Sequence, residues 1–144
     1  MKKIFKGLFV FLFLVLLSGC AKDYKEITSA KFLETMRNQD NYSVNTHTPI
    51  YDSNIETSIS ANGDEIQFLF FEFSSEKEAK AYIKNNYKDI KGYKYKDYGK
   101  YVEVKKTKDG YFYLLQINKM VISGFSDVKS NKKEIKNIFK KLGY

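Results

Sequence analysis

A segment rich in tyrosine and lysine, residues 91–108, carries the clearest candidates for binding chemistry. Its rings and charges interleave, and the candidate ligand-binding residues are Tyr93, Lys94, Tyr95, Lys96, Tyr98 and Tyr101. In a β-strand the first two tyrosines would share one face and the two lysines the other. Stacking rings beside positive charges predict a surface for anionic polymers, lipid headgroups or sugars. The alternative is a plain edge strand whose lysines prevent aggregation.

Groups suited to nucleophilic or acid–base catalysis are sparse. His47 is the only histidine and stands in a polar stretch, whereas a catalytic triad needs an orienting acid and a nucleophile around its base. This favours a surface histidine. Glu72 and Glu103 would form a carboxylate pair for glycoside hydrolysis only if their strands faced each other. The sequence therefore assigns no catalytic residue.

Metal and cofactor motifs are not apparent either. Residues 52–56 place oxygen side chains at alternate positions, as a calcium loop does, but the glycine and distal glutamate of that loop are missing. Clusters of histidine and cysteine for zinc and glycine-rich phosphate loops are also missing. We therefore expect no metal and no cofactor.

The N-terminus has the layout of an export signal. Lys2, Lys3 and Lys6 precede an apolar run of ten residues from Leu8 to Leu17. A membrane-spanning helix needs roughly 20 apolar residues, so this run is short for a permanent span. A basic start, a short apolar core and small residues before a cleavage point are the parts of a secretory signal.

The signal ends in Leu17-Ser18-Gly19-Cys20. This ending resembles the lipobox of bacterial lipoproteins, in which leucine, a small residue and glycine or alanine precede a cysteine. The resemblance covers residues 1–20 and implies that diacylglycerol is attached to the Cys20 thiol and that the chain is cleaved after Gly19. Lipid chains contribute about 0.8 kcal/mol per buried CH₂, so two or three chains hold a domain firmly. The alternative is an uncleaved anchor with an incidental cysteine.

Composition indicates one domain outside the cytoplasm. The 125 residues after the signal suit a single domain, and without a second cysteine they form no internal disulfide. The net charge of +8 falls to +5 when the three signal lysines are removed. Lysine, asparagine, tyrosine and isoleucine are encoded by A/T-rich codons, so a low-GC Gram-positive genome accounts for the basic balance. Nucleic acid is not an expected partner in this compartment.

The predicted elements begin with a polar tether, residues 20–26, followed by a single domain, residues 27–144. A helix begins near Thr28, and Asn62-Gly63 predicts a two-residue hairpin turn with positive φ angles. The strand after it, residues 65–73, is apolar on both faces and should be covered on both sides or lie under a loop. Ser75 and Glu78 form a capping box that opens the next helix.

The predicted order is α-β-β-β-α-β-β-β-α. It predicts an α+β fold, with a twisted antiparallel sheet of about five to six strands and helices packed mainly on one face. The layout, with blocks near Phe32 and at residues 73–86 and 135–144, resembles small uncharacterised lipoproteins of low-GC Gram-positive bacteria. That resemblance implies no known activity. The order also leaves open a likeness to the PsbP class of α-β-α folds.

These observations favour a non-catalytic, lipid-anchored binding or interaction module of the cell envelope. We expect a monomer on the extracytoplasmic face of the cell membrane, whose partner is an envelope protein, an anionic polymer or a small ligand. The alternative is an envelope hydrolase that uses carboxylates on the sheet. A solute receptor fits less well, because the chain is short for receptors with two lobes that close around a ligand.

Overall fold

The computed structural model describes residues 22–47 and 54–144. The signal segment, Cys20 and the first two residues of the calcium-like stretch, Asp52 and Ser53, lie outside the described residues. Within the described part of the chain, no helix has the length and hydropathy to cross a bilayer.

Seven strands form one antiparallel sheet in the order β1-β2-β3-β7-β6-β5-β4. They are β1 (Ser43–His47), β2 (Ile55–Asn62), β3 (Gln67–Phe73), β4 (Lys94–Asp97), β5 (Tyr101–Lys106), β6 (Tyr111–Ile117) and β7 (Met120–Ser126). The α+β class is confirmed. The sheet is wider than the five to six strands expected, because the short strands β1 and β4 both pair at its edges.

Three α-helices flank the sheet: α1 (Ser29–Arg37), α2 (Glu76–Tyr87) and α3 (Lys132–Leu142). The capping role of Ser75 is confirmed, since its hydroxyl accepts a hydrogen bond from the backbone N–H of Glu78 at 3.2 Å. Gly143 ends α3 with a φ of 103°, a left-handed conformation that glycine adopts without steric cost. Ser75 therefore begins α2 directly after β3, whereas α3 follows β7 through a short 3-10 turn, Lys129–Asn131.

The helices lie on both faces of the sheet, so the expectation that they pack mainly on one face is only partly correct. We call the face under α1 and α3 the closed face and the face under α2 the open face. The cause is visible in β3, where Phe68 and Phe70 belong to the closed-face core while Phe71 and Phe73 pack on the α2 side. A strand that is apolar on both sides needs cover on both sides.

The β2–β3 connection differs from the predicted two-residue turn. Asn62 pairs with Gln67, so residues 63–66 form a four-residue loop, closed by a 2.8 Å hydrogen bond from the N–H of Gly63 to the carbonyl of Ile66. Neither Asn62 nor Gly63 has a positive φ. A side chain at Gly63 would instead meet the Tyr42 ring, because its Cβ would lie 3.1 Å from that ring.

The N-terminal segment, residues 22–28, packs against the domain, although residues 22–26 were expected to be part of a tether. The Tyr24 ring lies 4.9 Å from the Tyr101 ring and 5.5 Å from the Tyr144 ring. The Tyr144 hydroxyl donates a 2.9 Å hydrogen bond to the carbonyl of Lys25, and Asn118 donates one of 3.2 Å to Glu26. These contacts fix the segment on the closed face, beside the β4–β5 and β6–β7 turns.

Candidate functional site

A groove lies on the open face beside α2. A helix of twelve residues is about 18 Å long, whereas seven strands span about 29 Å, so α2 leaves part of this face uncovered. The groove has a volume of about 170 Å³. Leu69, Leu114, Ser123 and Phe125 contribute to its lining, from the three neighbouring strands β3, β6 and β7.

Aromatic clusters stand at two sides of the groove. On one side Tyr87 stacks on Phe112 with ring centroids 5.3 Å apart, and Tyr93 packs 5.4–5.5 Å from both rings. On the other side Tyr82 lies 6.1 Å from Phe71. Such rings present flat apolar faces at little cost in conformational entropy. The groove therefore has preformed aromatic walls.

The groove carries hydrogen-bonding groups but no charge among its lining residues, which include Gln67 and Ser123. Burial, with smaller contributions from Tyr82 and Tyr93, raises the pKa of Tyr87 to about 12. Burial also raises the pKa of Tyr82. Both phenols therefore remain neutral at physiological pH. The groove suits an uncharged ligand that combines a flat face with polar substituents.

The predicted tyrosines are divided between the two faces. Tyr93 forms part of the groove wall, and the half-buried Tyr95 packs on the same side of the sheet. Tyr101 is buried in the closed-face core, and Tyr98 stacks on it with centroids 4.6 Å apart. Because these four rings are separated by the sheet, they do not form one continuous binding surface.

The predicted lysines lie on edge strand β4. Lys94 and Lys96 are exposed and pair in register with Lys105 and Glu103 of β5. Residues directly opposite each other in antiparallel strands point to the same face. The structure thus brings Lys94 and Lys96 to the side that carries Glu103, away from Tyr93.

Glu103 is a nearly buried carboxylate, 9% exposed, at the edge of the closed-face core. It accepts hydrogen bonds from the Tyr113 hydroxyl at 2.9 Å and from the Lys105 ammonium at 2.7 Å. Burial and the adjacent Glu103 carboxylate hold the pKa of Tyr113 far above its usual range. Each oxygen of the carboxylate therefore accepts a hydrogen bond from a side chain of the fold.

The carboxylate pair considered from sequence is not assembled. Glu72 is on β3 and Glu103 on β5, with two strands between them, so three strand spacings separate them by about 14 Å. Glycosidase carboxylates are about 5–9.5 Å apart. Glu72 instead forms an ion pair with Lys119 at 2.8 Å.

His47 contacts Ser60 on the neighbouring strand, with 2.8 Å between its Nε2 and the serine hydroxyl. Ser60 also accepts a 3.2 Å hydrogen bond from Asn62 and is only 5% exposed. Within the described residues, His47 has no hydrogen bond to an orienting carboxylate, which a serine nucleophile of this type requires. The pair joins two strands, and the buried Ser60 hydroxyl has little access to a substrate.

An acidic cavity of about 290 Å³ lies at the β2–β3 end of the sheet. Its lining includes Asp64, Glu65 and Glu134, and the Tyr42 hydroxyl donates a 2.7 Å hydrogen bond to Glu134. Burial and this contact raise the pKa of Tyr42. Among the described residues, no group of three or more acidic, histidine or cysteine side chains has a geometry suited to a metal ion.

Comparison with known proteins identifies the fold alone. No family model matches the chain, and no curated protein matches it in sequence. A crystal structure of a GTP binding regulator from Thermotoga maritima is similar, with a TM-score of 0.52 over 81% of this chain and 84% of that one. The sequence identity is 9%, so the likeness supports the mixed helix and sheet architecture and carries no function to this protein.

The sequence pointed to one groove residue, Tyr93, and missed the others. Tyr82 and Tyr87 lay on the predicted apolar face of a helix, and Leu69 and Phe71 on a strand predicted to be covered. The available signal was the second apolar face of that strand, combined with a helix too short to cover it. The strand order, which brings β3, β7 and β6 together, was not available from local patterns.

Proposed function

We propose that this protein is a lipid-anchored binding module of the cell envelope that binds an uncharged sugar ring in the open-face groove. The observation that carries the proposal is a preformed groove between aromatic rings, with polar but uncharged groups in its lining. A cavity of about 150 Å³ holds one benzene ring, so a groove of about 170 Å³ suits a single six-membered ring. Aromatic faces stack on sugar rings, while Gln67 and Ser123 offer hydrogen bonds.

The anchor half of the proposal rests on the sequence around Cys20, outside the described residues. Intact-mass measurement of protein purified from native membranes tests it. We expect a chain that begins at Cys20 and carries diacylglycerol, and a Cys20→Ala variant that is released from the membrane. A bare thiol at Cys20 would overturn the anchor.

The groove half can be tested with defined ligands. Saturation-transfer NMR with methyl N-acetylglucosaminide should show contact with the wild-type protein, and phenol serves as a second probe for a purely apolar ring. The variant Ser123→Leu fills the groove and should abolish the contact. Ser58→Leu makes the same change on the same face of β2, outside the groove, and should leave it intact.

The outcomes separate the alternatives. If phenol contacts the groove and the sugar does not, the sugar proposal is wrong, and the ligand would instead be an aromatic side chain of an envelope protein. Equal signals from wild type and Ser123→Leu, or none from either probe, would remove the groove as a binding site. A hydrolase has less support, since Glu72 and Glu103 are not brought together.

A further inference from the structure

We propose that the end of the sheet carrying the β4–β5 turn faces the membrane and binds anionic lipid headgroups, which orients the groove relative to the bilayer. This inference rests on the lipid anchor at Cys20 proposed above. We call the residues concerned the headgroup surface: Lys22, Lys96, Tyr98 and Lys100.

The first step is the point at which the chain leaves the domain. Tyr24 is held between the rings of Tyr101 and Tyr144, and Asp23 forms an ion pair with Lys100 at 3.7 Å. Both contacts place the N-terminal segment at the end of the sheet that carries the β4–β5 turn. The N-terminal segment therefore leaves the folded domain at this end of the sheet.

The second step is the distance to the lipid. Cys20 precedes Tyr24 by four residues. Four residues span at most about 14 Å when fully extended. A lipid on Cys20 therefore keeps the β4–β5 end within one headgroup layer of the bilayer, whereas a free tether would allow any face of the domain to approach.

The third step is the chemistry at this end. The ammonium group of Lys22 lies 5.5 Å from the centre of the Tyr24 ring, and Lys96 and Lys100 are exposed on either side of the β4–β5 turn. Tyr98 is 40% exposed at the turn, and its ring is held by stacking on Tyr101. Lysine is attracted to anionic headgroups, and tyrosine favours the boundary between water and lipid.

The carboxylates at the far end agree with the same orientation. The acidic cavity with Asp64, Glu65 and Glu134 lies at the β2–β3 loop, and the strand register places that loop at the opposite end of the sheet from the β4–β5 turn. With the β4–β5 end toward the bilayer, these three carboxylates lie away from the anionic headgroups. Lys108 and Lys132 share the far end with them, so the orientation depends on the short link and the headgroup surface and not on an overall charge polarity.

The test uses the lipidated protein in vesicles, with a nitroxide attached to one introduced cysteine. Cys20 is the only natural cysteine, so lipidation leaves the new thiol as the sole labelling site. Lys96→Cys reports on the headgroup surface and Asp64→Cys on the far end. In vesicles with 30% phosphatidylglycerol and a nickel-chelating lipid, we expect relaxation at least threefold stronger at position 96.

Charge variants separate lipid binding from tethering alone. Reversing Lys22 and Lys100 to glutamate should reduce the difference between the two labels to less than twofold, as should neutral phosphatidylcholine vesicles or high salt. The matched reversal of Lys133 and Lys136, on the first turns of α3, should leave it unchanged.

Equal relaxation at the two positions in anionic vesicles, or stronger relaxation at position 64, would overturn the proposed orientation. A difference that is unaffected by the charge variants would overturn the headgroup contact. Failure of the anchor is recognised separately, because an unmodified Cys20 would itself take up the label and the protein would not remain with the vesicles.

Discussion

The two faces of the sheet are built from the same strands but are covered by helices to different extents. On the closed face, α1, α3 and the N-terminal segment cover the strands, and Phe68, Ile122 and Leu115 are fully buried. On the open face, α2 covers only part of the sheet, and Phe71 and Phe125 remain half-buried.

If the groove binds a ligand as proposed, this difference separates stability from binding within one sheet. Side chains alternate along a strand, so each central strand contributes one set of residues to a closed core and another to the groove. Substitutions in the groove should therefore be tolerated by the fold better than substitutions one position away. The predictions below test that separation, beginning with the largest effect.

Phe68→Ala should lower the free energy of unfolding by about 3–5 kcal/mol, because a fully buried ring on the closed face leaves a cavity. Phe71→Ala, the same change on the open face of the same strand, should cost about 1–2 kcal/mol, since that ring is half-buried. Urea denaturation followed by circular dichroism measures both. Similar losses for the two variants would contradict the separation of the faces.

Gly124→Ala should destabilise the domain by about 1–3 kcal/mol, because its backbone approaches closed-face side chains closely. An added Cβ would lie 2.7 Å from the Phe68 ring and 2.8 Å from Cγ2 of Ile135. The control is Ser123→Ala, the adjacent residue on the open face, for which we expect a change below about 0.5 kcal/mol. A stability of Gly124→Ala equal to that of the control would show that the closed face has room to adjust.

Tyr113→Phe should make the domain less sensitive to alkaline pH. Burial and Glu103 raise the pKa of Tyr113 in the folded state, so the neutral phenol stabilises the fold fully below its unfolded pKa of about 10. That stability is lost as pH rises from about 10 toward the folded pKa, at about 1.4 kcal/mol per pH unit.

Urea denaturation between pH 9 and pH 12 should therefore give a shallower decline for Tyr113→Phe than for wild type. Tyr87→Phe on the open face should act in the same direction, and its benefit should stop growing near pH 12, the raised pKa of Tyr87. Parallel curves for Tyr113→Phe and wild type would disprove the assignment.

The smallest effects concern two adjacent lysines on opposite faces. Lys106→Gln removes an ammonium that lies 5.6 Å from the Tyr93 ring and should cost about 0.5 kcal/mol. Lys105→Gln should cost about 1 kcal/mol, because Lys105 also pairs with Glu103 at 2.7 Å. Thermal unfolding at low salt compares the two variants. A loss of stability for Lys106→Gln that equals or exceeds the loss for Lys105→Gln would contradict this contrast between the faces.

Local patterns predicted many of the elements of this fold. The capping box at Ser75 and the glycine that ends α3 at Gly143 are confirmed because a helix end depends on a few neighbouring residues. The second apolar face of β3 was also recognised, and it is the feature that requires α2 on the opposite side from α1 and α3. Periodicity shows which sides of an element are apolar, but it does not show which helix covers each side.

The groove and the turn at Gly63 depended on longer-range contacts. Gly63 leaves room for the close approach of Tyr42 from the connection between α1 and β1, so the Asn62-Gly63 pair gave a misleading hairpin signal. The groove forms only because β7 inserts between β3 and β6, which brings Leu69, Ser123 and Leu114 side by side. Strand order depends on the whole chain and was not predicted.

The docked N-terminal segment also determines where a mechanical load enters the domain. A pull on the lipid that we propose at Cys20 would act first on the ion pair of Asp23 with Lys100 and then on the ring contacts of Tyr24 with Tyr101 and Tyr144. These contacts would release before the hydrogen bonds between strands are loaded. Peeling them away would lengthen the link to the bilayer, so thermal motion of the membrane would be absorbed without deforming the groove.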